Sequence, residues 1–231
     1  MAEWKKSWPT RSAMATSGPK RVVAPEPPAR LGDIKLQLAE VPAIWFRLCP
    51  RRCPSPLFWS REGRYRFDSR DARWGVCYTA SSIPAAFQEV FGNKIRSSSP
   101  LNWEEIKDIS AWRITLPSSF RGLGLYGETL TAIGATLQCF VSSYPKSQRW
   151  AAALMNHPAD LDGFVYLGRR CGAQCLAMFG DTVAPPSYQS SIQTDRLGNL
   201  ALWDGFWPML DRLGVRVSSI PGSISMASWS L

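Results

Sequence analysis

The sequence predicts an α+β domain, and three observations lead there. Short runs rich in β-branched and aromatic residues, closed by Gly, Pro or Ser, mark strands at 44–48, 75–80, 109–116, 162–166 and 174–179. Apolar residues at the helical period mark helices at 82–91 and 147–155. The two kinds of element follow no regular strand–helix–strand alternation, and the chain has neither a P-loop nor a Gly-x-Gly-x-x-Gly motif. With 231 residues, 45% of them hydrophobic and only 19% charged, and with eleven tryptophans, the chain has enough apolar material for a buried core. Its longest apolar stretches, 133–141 and 173–179, fall short of the roughly 20 residues of a membrane helix, so a soluble protein with no membrane partner is expected.

In chain order, residues 1–31 hold five prolines and scattered basic residues without an apolar period, which predicts a disordered or extended basic arm. The domain is expected over 32–220 and a Ser-rich tail over 221–231. Residues 34–38 alternate apolar and polar, and after Pro42 comes the strand 44–48. The segment 59–74, with Gly63, Arg64, Tyr65, Arg66, Phe67, Arg70, Arg73 and Trp74, is too polar for a core and too aromatic for a linker, so it reads as a functional loop. After the strand 75–80, Ser82 is a helix N-cap with Pro84 in the first turn. Ile83, Ala86, Phe87, Val90 and Phe91 form the apolar stripe, Glu89 lies off it, and Gly92 reads as the helix stop. A helical pattern interrupted by glycines spans 127–139. The runs 162–166 and 174–179 flank a Gly/Arg-rich turn and read as a hairpin; a Pro-rich loop at 183–187, a helix at 204–213 and a short strand at 214–219 complete the order.

Charge and cysteines narrow the function. Lys and Arg outnumber Asp and Glu by 27 to 18, which favours anionic partners, but about half of the surplus lies in 1–31. The folded part shows no basic, aromatic stripe, zinc finger or RNA-binding signature, so nucleic acid is the weaker expectation. No apolar run of a secretory signal precedes the Pro-rich stretch, so the six cysteines are expected reduced, in a cytoplasmic protein. Cys49 and Cys53, and Cys171 and Cys175, have three intervening residues where the usual zinc knuckle has two, and His157 is the sole histidine, which argues against a metal. Cys77, Cys139 and Cys175 sit in apolar runs as small hydrophobes. His157, before Pro158, reads as a surface residue, and a Ser-His-Asp or Cys-His hydrolase is hard to build around it.

The remaining candidates for chemistry are Arg47, Arg66 and Arg169 at strand ends and loops, Tyr78 on a strand and Glu89 on the next helix. Taken singly, each is equally well a snorkelling cation, a half-buried aromatic or a solvated carboxylate. Their order is more informative. Trp45-Phe46-Arg47, then Gly63-Arg64-Tyr65-Arg66-Phe67, then Val76-Cys77-Tyr78-Thr79-Ala80, then Ala85-Ala86-Phe87-Gln88-Glu89-Val90-Phe91 resembles the opening of the RES domain family. Residues 147–155, Asp162-Gly163-Phe164-Val165-Tyr166 and Cys175-Leu176-Ala177-Met178-Phe179 resemble its closing helix and hairpin, so the resemblance covers roughly 44–180.

The resemblance implies a split mixed sheet flanked by helices, similar to ADP-ribosyltransferases, and a bacterial toxin that consumes NAD and is silenced by an antitoxin protein. It places the family's arginine at Arg47 and its glutamate at Glu89, with Arg66 and Tyr78 matching a second arginine and a strand tyrosine. The catalytic set it implies is Glu89, Arg47 and Tyr78; the NAD-binding set is Arg47, Arg66, Tyr78, Arg169 and Gly168, with no metal. The family's serine is expected within Tyr166-Leu167-Gly168-Arg169, where Gly168 stands in its place. Gly168 therefore opens a second reading, a weakened or inactive relative that binds a nucleotide or a partner protein, unless it is simply a left-handed turn glycine. A third reading is a basic nucleic-acid-associated protein that uses its arm.

Overall fold

The computed structural model describes residues 24–181 and 185–220. Its strands are β1 (Ile44–Pro50), β2 (Gly75–Ala80), β3 (Leu101–Asn102), β4 (Ile109–Thr115), β5 (Gly122–Gly124), β6 (Gly163–Leu167), β7 (Gln174–Gly180), β8 (Gln193–Asn199) and β9 (Val217–Ser218). Its helices are α1 (Ile83–Arg96), α2 (Trp103–Ile106), α3 (Glu128–Ala132), α4 (Gln138–Val141), α5 (Tyr144–Met155) and α6 (Phe206–Arg212). Seven strands form one mixed sheet in the order β5-β6-β7-β2-β1-β4-β8, in which only β5 and β6 pair in parallel. β3 and β9 form a small parallel pair apart from it. This is the mixed, helix-flanked architecture expected.

The central strands read as nearly continuous apolar runs because both of their faces are covered. Along β7, Cys175, Ala177 and Phe179 enter the larger core beneath α1 and α5, while Leu176 and Met178 enter a second core with Trp45, Trp59 and Tyr188. β6 divides the same way, with Phe164 and Tyr166 on one side and Val165 on the other. Every second side chain thus changes face, as the pleat requires.

β1 and β4 pair along their whole length, from Ile44 against Thr115 to Pro50 against Ile109. β2 pairs equally fully with β7. Between β1 and β2 the register holds a single pair, Phe46 with Ala80. Beyond it the two strands part, and Ser60 of the long loop after β1 bridges to Val76 instead. The sheet is therefore split down its middle.

Several expectations are corrected. α1 does not stop at Gly92 but runs to Arg96, with Lys94 and Arg96 in its last turn. Gly92 is needed for close approach: a Cβ there would lie 2.6 Å from Arg170 Cδ. Val90, expected on the buried stripe, is exposed. The pattern over 127–139 is two short helices, α3 and α4, because Gly134 turns left-handed at φ 70° between them. α5 starts at Tyr144, with Pro145 in its first turn rather than ahead of it. The strand expected over 214–219 is only the two residues of β9. β8 was not expected at all. It is an edge strand of polar sequence with no clear apolar alternation, so no periodicity announces it. His157 is buried, not superficial: its Nε2 donates to the Ile34 carbonyl at 2.9 Å and its Nδ1 accepts from Ala159 N at 3.0 Å.

Residues 1–23 of the expected arm, part of the Pro-rich loop and the tail 221–231 lie outside the described residues. Residues 24–31 contradict a free arm, because they are tied to α4 and α5. The Pro25 carbonyl accepts from Trp150 Nε1 at 3.0 Å, Ala24 is buried, and Glu26 takes a two-pronged bond from Arg149, both contacts 2.8 Å, with Lys146 at 3.0 Å. The arm's proline-rich composition hid this docking, which depends on the Ala24 and Pro25 carbonyls, the Glu26 carboxylate and the isolated buried residues Ala24 and Leu31 rather than on an apolar period.

Hydrogen bonds from Arg149 and Lys146 hold the Glu26 carboxyl down at about 2, from an ordinary 4.5. A depressed carboxylate stabilises the docked segment above its unfolded value and loses that contribution as pH falls towards the folded one. Docking of 24–30 should therefore weaken between about pH 4.5 and 2, read by hydrogen exchange of the Trp150 indole N–H. At neutral pH, removing 1–30 should cost about 1–3 kcal/mol more than removing 1–23, because the buried Trp150 donor is orphaned; equal denaturation midpoints for the two truncations would refute the docking.

Candidate active site

A cleft of about 410 Å³ opens where β1 and β2 part, and Arg47, Arg66, Tyr78, Glu89 and Arg169 all line it. Gly168 adjoins it, beside the Glu89 carboxylate. The structure thus brings together residues that the chain scatters over a strand, a loop, a second strand, a helix and a hairpin.

Arg66 comes from the loop between β1 and β2. Its guanidinium lies 5.5 Å from the centre of the Tyr166 ring and 6.0 Å from that of Phe67. Its Nη1 is buried and makes no hydrogen bond. Thr79 Oγ1, also at the cleft, is buried and unpartnered as well. Buried polar atoms are ordinarily satisfied, and of the three unpartnered ones among the described residues, Arg66 Nη1, Thr79 Oγ1 and Trp112 Nε1, the first two belong to residues that line the cleft. Thr79 had no role in the sequence reading, since an isolated strand threonine carries no signal.

Tyr78 projects from β2 and its hydroxyl holds the loop in place. It donates to Asp68 Oδ1 at 2.8 Å and accepts from Phe67 N at 3.0 Å. Asp68 is fully buried, and its other oxygen accepts from Tyr65 N at 2.9 Å. Burial first, and Asp68 second, push the Tyr78 hydroxyl well above the ordinary phenol range, so it remains a donor. Its ring meets Tyr65 edge to face at 5.9 Å, giving the cleft an aromatic wall. Tyr166, with its phenol also raised by burial, lines the floor.

Arg47 alternates along β1 with Phe46 and Leu48, which pack in the larger core. Its own guanidinium crosses the split to Cys77 Sγ and to the Phe58 carbonyl at 3.4 Å. It borders the cleft as a brace across the gap. Arg169 lies further out and donates to the Val141 carbonyl at 3.2 Å.

Glu89 lies on the flank of α1, half-buried. One carboxylate oxygen accepts from Arg170 N at 3.0 Å, while the Arg170 side chain bonds the Glu89 carbonyl and Asn93 Oδ1. Glu89, Gly92 and Asn93 share one helix face, and the missing side chain at Gly92 makes the groove in which Arg170 lies. Arg170 is the functional neighbour that sequence reasoning passed over in favour of Arg169. The signal was available in the Glu-x-x-Gly-Asn spacing on the helix. Beyond Gly168, the hairpin turn returns through Gly172, which takes the left-handed conformation at φ 64°; Gly168 does not, so turn geometry does not explain it.

The RES domain family matches residues 44–197, two thirds of the sequence. This chain belongs to the RES domain family. The match extends past the expected boundary at 180 and takes in most of β8. No curated protein matches in sequence. Among solved structures, one chain of the M. tuberculosis MbcT-MbcA toxin-antitoxin complex is similar to this RES-domain protein, at 14% identity and a TM-score of 0.46, over 68% of this chain and 85% of that one. No helix among the described residues is long and apolar enough to cross a membrane.

Tyr78→Phe should destabilise the protein by about 1–3 kcal/mol, since it removes a donor from the buried Asp68 carboxylate and an acceptor from Phe67 N. Urea denaturation checks this. A change within experimental error would show that the hydroxyl does not hold the loop.

Proposed function

We propose that this RES-domain protein binds NAD in the split-sheet cleft and cleaves its nicotinamide–ribose bond. The observation that carries the reading is that Arg66 and Glu89 line one cleft, with Arg66 Nη1 left without a hydrogen-bond partner. A planar, always-charged guanidinium suits a pyrophosphate, and a buried unpaired donor there is satisfied when the anion arrives. Bond cleavage passes through an oxocarbenium-like state, which a carboxylate beside the ribose stabilises. Nicotinamide leaves with the bonding pair, and an acceptor adds at the ribose carbon. Tyr65 and Tyr78 present aromatic surface to the cationic nicotinamide ring. The family resemblance adds a role as toxin, a cytoplasmic setting and a protein antitoxin that keeps the cleft silent.

Gly168 supports a second reading, a relative that binds NAD without turning it over. The position of the family serine holds no hydroxyl, and Glu89 Oε1 occupies the space its side chain would need.

Purified protein incubated with NAD separates the two. Release of nicotinamide over many turnovers supports cleavage; saturable binding without release supports the binder; no binding refutes both. Within the first reading, Glu89→Gln should lower the rate by roughly 10²–10³-fold with the fold intact, as loss of one oriented electrostatic group does. Arg66→Met should raise KM by at least about tenfold, the loss of one charge-assisted contact. Unchanged kinetics in either variant would remove that residue from the mechanism.

A further inference from the structure

A Cβ built on Gly168 would lie 2.5 Å from Cys171 Sγ, 2.7 Å from Glu89 Oε1 and 2.8 Å from Cys175 Sγ. Three atoms able to ligate a metal, from a helix and from the distant hairpin, thus converge against the bare Cα of Gly168, an approach that a side chain there would block. They lie within 4.8 Å of one another. The two sulfurs are 3.9 Å apart. Two Zn–S bonds of about 2.3 Å at a tetrahedral angle place their sulfurs about 3.8 Å apart, whereas a disulfide needs about 2.05 Å. The thiols therefore stand at the spacing of metal ligands.

We propose that Glu89, Cys171 and Cys175 form a binding site for a thiophilic divalent cation, Zn²⁺, beside the cleft that Glu89 lines, with the fourth position left to a non-protein ligand. Two sulfurs and one oxygen suit zinc and do not suit magnesium or calcium, which take oxygen alone. Three protein ligands with one open position is the arrangement of reactive or regulatory zinc sites, as distinct from closed structural ones. One supporting bond is present, from Arg170 N to Glu89 Oε1 at 3.0 Å; the weak bonds from the two thiols to the Ala173 carbonyl, at 3.8 and 3.9 Å, belong to the metal-free protein and are given up on binding. On binding, each thiol releases its proton to solvent and nothing is oxidised or reduced. The third ligand comes from α1, which explains why a Cys-x-x-x-Cys spacing read by itself argued against a metal. A consequence, which rests on the NAD reading, is that a Glu89 carboxylate bound to zinc is withdrawn from the ribose, so Zn²⁺ inhibits turnover.

The test is a titration of the reduced full-length protein with Co²⁺, followed by Zn²⁺, in the absence of NAD. Expected are one Co²⁺ per chain with a thiolate-to-metal charge-transfer band, displacement of that band by Zn²⁺, and protection of Cys171 and Cys175 from alkylation. Cys171→Ser should weaken binding by more than the roughly 10–100-fold that loss of a supporting hydrogen bond costs, because a direct ligand is lost. Gly168→Ala keeps both thiols but forces the three ligand atoms apart, and should lose the band as well. A spectrum without sulfur ligands overturns the site, as does a band that survives both substitutions. No readout so far depends on NAD, so failure of the NAD reading leaves this one standing. Where turnover is observed, saturating Zn²⁺ should abolish it in the wild type and not in Cys171→Ser; full activity of the zinc-loaded wild type overturns the inhibition.

Discussion

One residue pair, Phe46 with Ala80, joins the two halves of the seven-stranded sheet, and the cleft exists because there are no more. Strands β1 and β2 each have a long, fully paired partner on their other side, β4 and β7. Each half is thus fully paired away from the central seam, and the hydrogen bonds lost by parting are partly recovered through Ser60, which pairs with Val76. Ordinarily an open seam exposes unpaired backbone and invites aggregation. Here the seam is lined instead with Arg47, Arg66 and the Tyr78–Asp68 anchor, and the loop over 59–74 is fastened across it.

The same constraint sets the order of the side chains. Tyr78 stands on the α1 side of β2, while Cys77, the next residue along, joins the opposite core and receives Arg47. A continuous sheet would separate these two faces completely. With the seam open, the cleft collects residues from both, which is how Arg47 and Thr79 come to border the same cavity as Tyr78 and Glu89. The far wall is fixed by Arg170, clamped in the groove that Gly92 leaves on α1. The two glycines Gly92 and Gly168 thus do related work: one admits a guanidinium and the other admits a carboxylate and two thiols.

What the sequence disclosed follows from how each element is buried. β2, β6 and β7 are covered on both faces, so their apolar runs were plain, and α1 was plain because Ser82 caps it and its stripe is strong. β8 was invisible, since an edge strand has little side-chain burial to impose a pattern. The end of α1 was misread because a glycine that permits close approach looks like a glycine that ends a helix until its neighbour is known. In the cleft, Arg47, Arg66, Tyr78, Glu89 and Arg169 were legible as an ordered set of motifs. Arg170, Thr79, Asp68 and the grouping of Glu89 with Cys171 and Cys175 were not, because each gains its meaning from a partner remote in sequence. The docking of 24–31 was hidden for the same reason, depending on Trp150 and Arg149.

The open seam, as proposed, is a nucleotide site with Arg66 and Glu89 on its two walls. A crystal structure of the Glu89→Gln protein with NAD tests it most directly. The pyrophosphate is expected at about 2.7–2.9 Å from the Arg66 guanidinium, the distance of a charge-assisted hydrogen bond, with the nicotinamide ribose beside residue 89 and the aromatic wall of Tyr65 and Tyr78 against the base. NAD bound away from the seam, or a seam still closed to it at saturating concentration, would refute this placement.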